Sequence, residues 1–213
     1  MGLKNPVRAE CAARPKFEWA GVLTLITSAV ARHGEPIDPA TLFDGDDRDW
    51  SWAGVKAAEL LAAGLRQGAE GIAFEHAVQV RSIVGTFIRI APNEPEIEDF
   101  EERYRREPFF AAQATLRGLA VELCILLMFW LSKDPSSPLV VEPRNGLSNS
   151  SNIRNFFDGQ LRDRAAAGRI PRAIMGRCLC YLFYFGEDWL RAILMHCFRR
   201  TIKLCAVPPG TGI

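Results

Sequence analysis

The sequence predicts an all-α protein, an irregular helical bundle of about eight helices or a short stack of helix pairs. Three observations predict it. Apolar residues recur at three- and four-residue steps through most of the chain, which is the signature of one-faced helices. Proline and glycine divide these stretches at helix-length intervals. The best strand candidate, Leu139-Val140-Val141, is too short and too isolated for a sheet.

The first helix is expected between Phe17 and Arg32, where Trp19, Val22, Leu23, Ile26 and Val30 form one stripe, and it ends near His33-Gly34. A loop follows from Glu35 to Asp49, with Pro36, Pro39 and an acidic cluster whose Asp suits the N-cap of the next helix. That second helix begins at Trp50. Trp52, Val55, Ala58, Leu61, Ala62 and Leu65 give its inward face, and Gly64, Gly68 and Gly71 weaken and close it. The third runs from about Ala73 to Ile90 with Phe74, Ala77, Val78, Val84, Phe87 and Ile88 inward, and Pro92 and Pro95 stop it. Glu96 to Arg106 reads as a short amphipathic helix, acidic first and basic last in the order that suits the helix dipole.

Pro108 fits the first position of a long central helix that continues to Lys133-Asp134-Pro135. Leu116, Leu119, Ala120, Leu123, Leu126, Leu127 and Trp130 make it apolar nearly all round, so it belongs in the middle of the bundle. Residues 135–152, rich in Pro, Ser and Asn, read as a linker between an N-terminal bundle over 1–134 and a basic C-terminal segment over 153–213 that packs on it. Beyond it, Ile153, Phe156, Phe157 and Leu161 mark a helix capped by Ser150 or Ser151. Pro171 opens another through Phe185, Gly186 interrupts, and Trp189 to Leu204 forms the last.

Composition narrows the function. The 213 residues carry a formal net charge of +1, so no strong overall field gathers nucleic acid or anionic membrane. Charge is nonetheless divided, with −4 over residues 1–106 and +5 over 107–213. Arginine dominates the second half. Arg162, Arg164, Arg169 and Arg172, with Arg154 and Arg177 nearby, are candidate phosphate contacts; the plainer expectation is two solvated helix faces paired with Asp158 and Asp163. The most apolar run, Leu119–Leu131, is 13 residues long and carries Glu122, short of the roughly 18 a spanning helix needs. With no secretion signal at the N-terminus, the expected location is cytoplasmic, with no membrane association.

Six cysteines, mostly in apolar surroundings, read as buried free thiols. Cys178-x-Cys180 has the wrong spacing for zinc or redox work, and His33, His76 and His196 fall on different predicted helices. No metal and no cofactor are expected. There is neither a Gly-x-Ser-x-Gly elbow nor a Gly-x-Gly-x-x-Gly loop. Pro208-Pro-Gly-Thr-Gly-Ile213 looks like the middle of the phosphate loop of AAA-type ATPases. It departs from that loop where the chemistry lies, with Val207 for the first Gly and Ile213 for the phosphate-binding Lys.

One spacing carries chemistry. Arg191-Ala-Ile-Leu-Met-His196 resembles the Arg-x4-His motif of HEPN ribonucleases, all-helical domains in which paired Arg and His at a dimer cleft cut RNA without a metal. The resemblance implies that His196 moves a proton and that Arg191 stabilises charge on phosphorus. The polar residue that often follows the Arg is Ala192 here, and positions five apart lie about 140° apart on a helix. The residues from Cys197 onward are apolar and basic without a stripe. With five tryptophans and an apolar central helix, they favour a non-catalytic scaffold or interaction module, whose partner is another protein or missing domains of a longer parent. The alternative is a HEPN-like ribonuclease acting on RNA through Arg191 and His196.

Overall fold

The structure, a computed structural model, describes residues 17–37, 50–91, 108–134, 141–163 and 168–195. The acidic loop cluster, the helix expected over Glu96–Arg106, Arg164, His196 and the C-terminal tail lie outside these. Helix α1 spans Trp19–Ala31 and buries Trp19, Leu23, Ile26 and Val30, the stripe its spacing predicts. Helix α2 spans Ser51–Arg66, and α3 spans Ala77–Ile90 after a short 3-10 turn at Phe74–His76. Trp50 occupies the N-cap of α2 with no side-chain cap bond, and the aspartates expected to cap this helix lie outside the described residues.

Two apolar residues expected to face inward do not. Trp52 is 58% exposed and Val78 is 72% exposed. Each stands nine residues before a buried core residue, Leu61 and Phe87 respectively, and nine residues place two side chains on opposite faces of a helix. The buried stripe of α2 starts instead at Gly54 and Ala57. Gly64, expected to weaken this helix, serves its packing: a Cβ there would overlap the Trp19 ring. Gly68 does close the helix, adopting a φ of 64° just past its end.

The central helix is two helices. Helix α4 spans Pro108–Gln113 and α5 spans Leu116–Leu131, with Thr115 between them in an extended conformation. The Thr115 hydroxyl donates to the Ala112 carbonyl at 3.3 Å and accepts from the Gly118 N–H at 3.2 Å. Threonine thus caps α5 and turns the chain, a role for which its short hydroxyl suits it better than a helix interior does. The α5 helix lies at the centre, against α2, α3 and α4. Twelve of its sixteen residues are buried, which confirms the encirclement its all-round apolarity predicts. Its Glu122 reaches Arg66 of α2 at 2.7 Å.

Helix α6 (Gly146–Asn149) and helix α7 (Ser151–Arg162) follow. Ser150 is the N-cap residue of α7, but neither its hydroxyl nor that of Ser151 caps the helix; Ser151 bonds Asn152 instead. The helix expected from Pro171 to Phe185 is interrupted at Cys178, giving α8 (Arg169–Arg177) and α9 (Leu179–Phe185). Gly176 in the last turn of α8 weakens continuation there. A last helix, α10, covers residues 187–195. One hydrophobic core runs from Trp19 to Leu190 and includes Val141 and Leu147. The described residues contain helices and no β-strand, and no helix among them is long and apolar enough to cross a membrane.

A polar knot fastens α7 and α8 to the centre. Arg117 of α5 donates to Gln160 at 2.6 Å and pairs with Asp163, while Arg172 donates to the backbone carbonyl of Asp163. Gln160 is buried, and the Arg117 side chain nearly so. Arg117→Met keeps the aliphatic stem but takes one partner each from Gln160 and Asp163. It is expected to lower stability by about 2–3 kcal/mol, read as an earlier urea midpoint with an unchanged slope.

Candidate functional site

Helix α9 reads Leu-Cys-Tyr-Leu-Phe-Tyr-Phe, apolar or aromatic at nearly every position. A helix that lies on a core buries one stripe, so such a sequence necessarily leaves rings outside. Leu182 and Phe185 face the core. Tyr181, Phe183 and Tyr184 remain between 43% and 48% exposed, with Leu179 beside them in sequence. Gly186 then lets the chain pass close to Leu147, whose side chain a Cβ there would overlap. On α10 the exposed apolar residues continue as Leu194 and Met195.

Cations stand next to these rings. Tyr181 meets Phe129 edge-on, with ring centroids 5.5 Å apart, and the Lys133 ammonium lies 4.3 Å over Phe129. The Arg191 guanidinium lies 5.7 Å from the centre of the Phe183 ring. Arg144, a non-glycine residue at φ 68°, donates its backbone N–H to the Tyr184 carbonyl at 2.6 Å and keeps its side chain in solvent. Glu187 sits between Arg191 and Arg144, at 2.7 Å and 4.0 Å. The result is an aromatic ridge with a basic margin. Cation–π contact and one shared carboxylate hold the arginines of that margin in place.

The residues selected from sequence fare unequally. Arg191 is on α10, 64% exposed, with its Nε and one terminal nitrogen both bonded to Glu187 Oε1 at 3.0 Å and 2.7 Å. Its charge is therefore already matched within its own helix. His196, its partner in the Arg-x4-His pattern, lies outside the described residues. Arg162 and Arg169 are exposed at the end of α7 and the start of α8, and Arg164 lies outside the described residues. Arg172 is turned inward onto the Asp163 carbonyl. Among the described residues, the ion pairs expected with Asp158 and Asp163 take another form. Asp163 pairs with Arg117 of the central helix, and Asp158 accepts from the Trp189 indole at 2.8 Å.

Cysteine placement also differs from expectation. Cys124 is buried, and burial holds its thiol far above the ordinary range. Cys178 is half-buried, its pKa raised first by burial and then by the nearby Glu122 carboxylate and Cys180, with Arg177 opposing. Cys180 is exposed, so this thiol is not the buried one its apolar neighbours suggest. Among the described residues no group of three or more His, Cys, Asp or Glu side chains could hold a metal ion.

Sequence reasoning missed the aromatic ridge because it treated 171–185 as one continuous helix. The composition of residues 179–185 carried the signal. Compared with models of known protein families, with curated proteins and with solved structures, the chain matches none of them.

Proposed function

We propose that this protein is a non-catalytic interaction module that docks another protein on the ridge formed by Tyr181, Phe183 and Tyr184 of α9 and by Leu194 and Met195 of α10. The observation that carries this reading is the exposure of three aromatic residues within four positions of one short helix. Aromatic rings lose little conformational freedom on binding and bury much area, which is why they dominate interface hot spots. The partner surface it fits is an apolar groove edged with acidic residues, complementary to Lys133 and Arg144. Leu179, Leu194 and Met195 favour a protein over a nucleic acid, since aliphatic side chains are poor stacking platforms for bases. The same ridge would equally serve a neighbouring domain of a longer parent chain.

A photo-crosslinking residue at position 183 tests this against one at Leu25, which is exposed on α1 far from the ridge in sequence. The expected result is a discrete protein adduct from position 183 only. The protein it identifies, purified, should bind the parent chain and lose at least ~10-fold affinity when Tyr181, Phe183 and Tyr184 are all changed to Ser. Equal adducts at both positions would overturn the reading, as would an RNA adduct at 183. RNA cleavage in EDTA that disappears with Arg191→Ala would replace it with the ribonuclease reading.

A further inference from the structure

The chain enters α6 through a turn in which Pro143 precedes Arg144. With a φ of 68°, Arg144 is the one non-glycine residue of positive φ among the described residues. That left-handed conformation crowds a Cβ against the backbone, and glycine or asparagine ordinarily takes it after a proline in a turn. The fold uses only the backbone here. Arg144 donates its N–H to the Tyr184 carbonyl at 2.6 Å, a bond that any residue except proline could make. Its side chain is 82% exposed. Among the described residues its one carboxylate partner is Glu187, whose Oε2 lies 4.0 Å from the Arg144 Nε, beyond hydrogen-bond reach. The other oxygen of Glu187 is taken twice over by Arg191.

Residues in sparsely populated conformations persist where their surroundings hold them, and they cluster at binding sites. Here the Tyr184 carbonyl holds the backbone while the guanidinium stays in solvent at the edge of the aromatic ridge. We infer that Arg144 is the specificity-determining residue of that ridge, taking an Asp or Glu carboxylate of the docked protein beside an apolar side chain that rests on Tyr184. The inference rests on the docking reading given above. A guanidinium offers paired donors in a fixed fork that matches a carboxylate at two points, whereas the Lys133 ammonium is a point charge without that geometry. Arg191 has the fork but has already spent it on Glu187. Arg144 is thus the cation of the margin that can read the shape of a carboxylate as well as its charge.

Random peptides displayed on phage and selected on the immobilised protein test this with no natural partner in hand. The parent chain is expected to enrich peptides that place Asp or Glu next to a large apolar residue, roughly tenfold over peptides with the apolar residue alone. Arg144→Gly keeps the turn and the bond to Tyr184 and removes the guanidinium. It should still enrich apolar peptides but lose the acidic preference. Its urea midpoint should match or exceed the parent's, since relief of the left-handed strain offsets the greater freedom of glycine in the unfolded chain. Arg154→Gln, an equal loss of charge at an exposed position of α7, should leave the preference intact. An acidic preference that survives Arg144→Gly, that falls equally with Arg154→Gln, or that the parent lacks would overturn the assignment and leave the ridge as a docking surface. A clearly earlier midpoint for Arg144→Gly would overturn it too, because the side chain would then serve the fold. Apolar peptides that are not enriched, or are enriched equally after Tyr181, Phe183 and Tyr184 are all changed to Ser, would overturn the docking reading and this assignment with it.

Discussion

Gly118→Ala is expected to destabilise the protein by about 3 kcal/mol or more, at the upper end of what overpacking costs. The added Cβ would overlap the carbonyl of Ala112, a backbone group in the tight turn that joins α4 to α5. A flexible side chain could swing away from such an intrusion, but a carbonyl bonded to the Thr115 hydroxyl cannot do so without breaking the cap. For a chain of 213 residues the loss corresponds to a drop in Tm of roughly 6–12 °C. The matched control is Gly159→Ala in α7, where a Cβ meets nothing within 4 Å. Alanine there should raise stability by up to ~1 kcal/mol through helix propensity and a less free unfolded chain. Urea unfolding of the two variants checks both signs. A Gly118→Ala protein as stable as its parent would mean that the two helices do not approach as closely as described.

Trp130→Ala is expected to cost ~3–5 kcal/mol, the range for emptying a large aromatic site in a core. Trp130 is fully buried, its ring lies 5.0 Å from that of Phe74, and its indole N–H donates to the Ile72 carbonyl at 3.2 Å. The residue therefore both fills the centre and pins the connection between α2 and α3 to it. Trp130→Phe separates the two contributions. Keeping most of the ring but leaving the buried Ile72 carbonyl without its donor should cost about 1–3 kcal/mol. Calorimetric unfolding of both variants gives the comparison, and equal losses would assign the whole effect to the hydrogen bond.

Regular spacing made much of the fold legible. The stripe of α1 and the all-round apolarity of α5 follow directly from the positions of leucine, isoleucine, valine and tryptophan. Apolar character alone misled at Trp52 and Val78, because it says that a side chain tolerates burial and not that its azimuth faces the core. The break at Thr115 is a hydrogen-bonding event: its signal is one hydroxyl three residues before a glycine, easily lost within a long apolar periodicity. The site was harder still. Arg117 stands 46 residues from Asp163, and a contact at that range depends on how α5 and α7 pack, which no local pattern encodes. Arg191 and the arginines of α7 and α8 could be selected by residue type, whereas their engagement by Glu187 and by the Asp163 carbonyl required coordinates.

The position of α5 also governs how the molecule breathes. Termini and surface helices open locally at little free-energy cost, whereas a segment enclosed on all sides becomes wet only when its enclosure is lost. Solvent cannot reach the backbone of residues 119–131 without parting several of the helices around them. The amide protons of this helix are therefore the natural gauge of the whole molecule's opening, exchanging with deuterium at the pace of global unfolding while α1 and α10 exchange through smaller excursions.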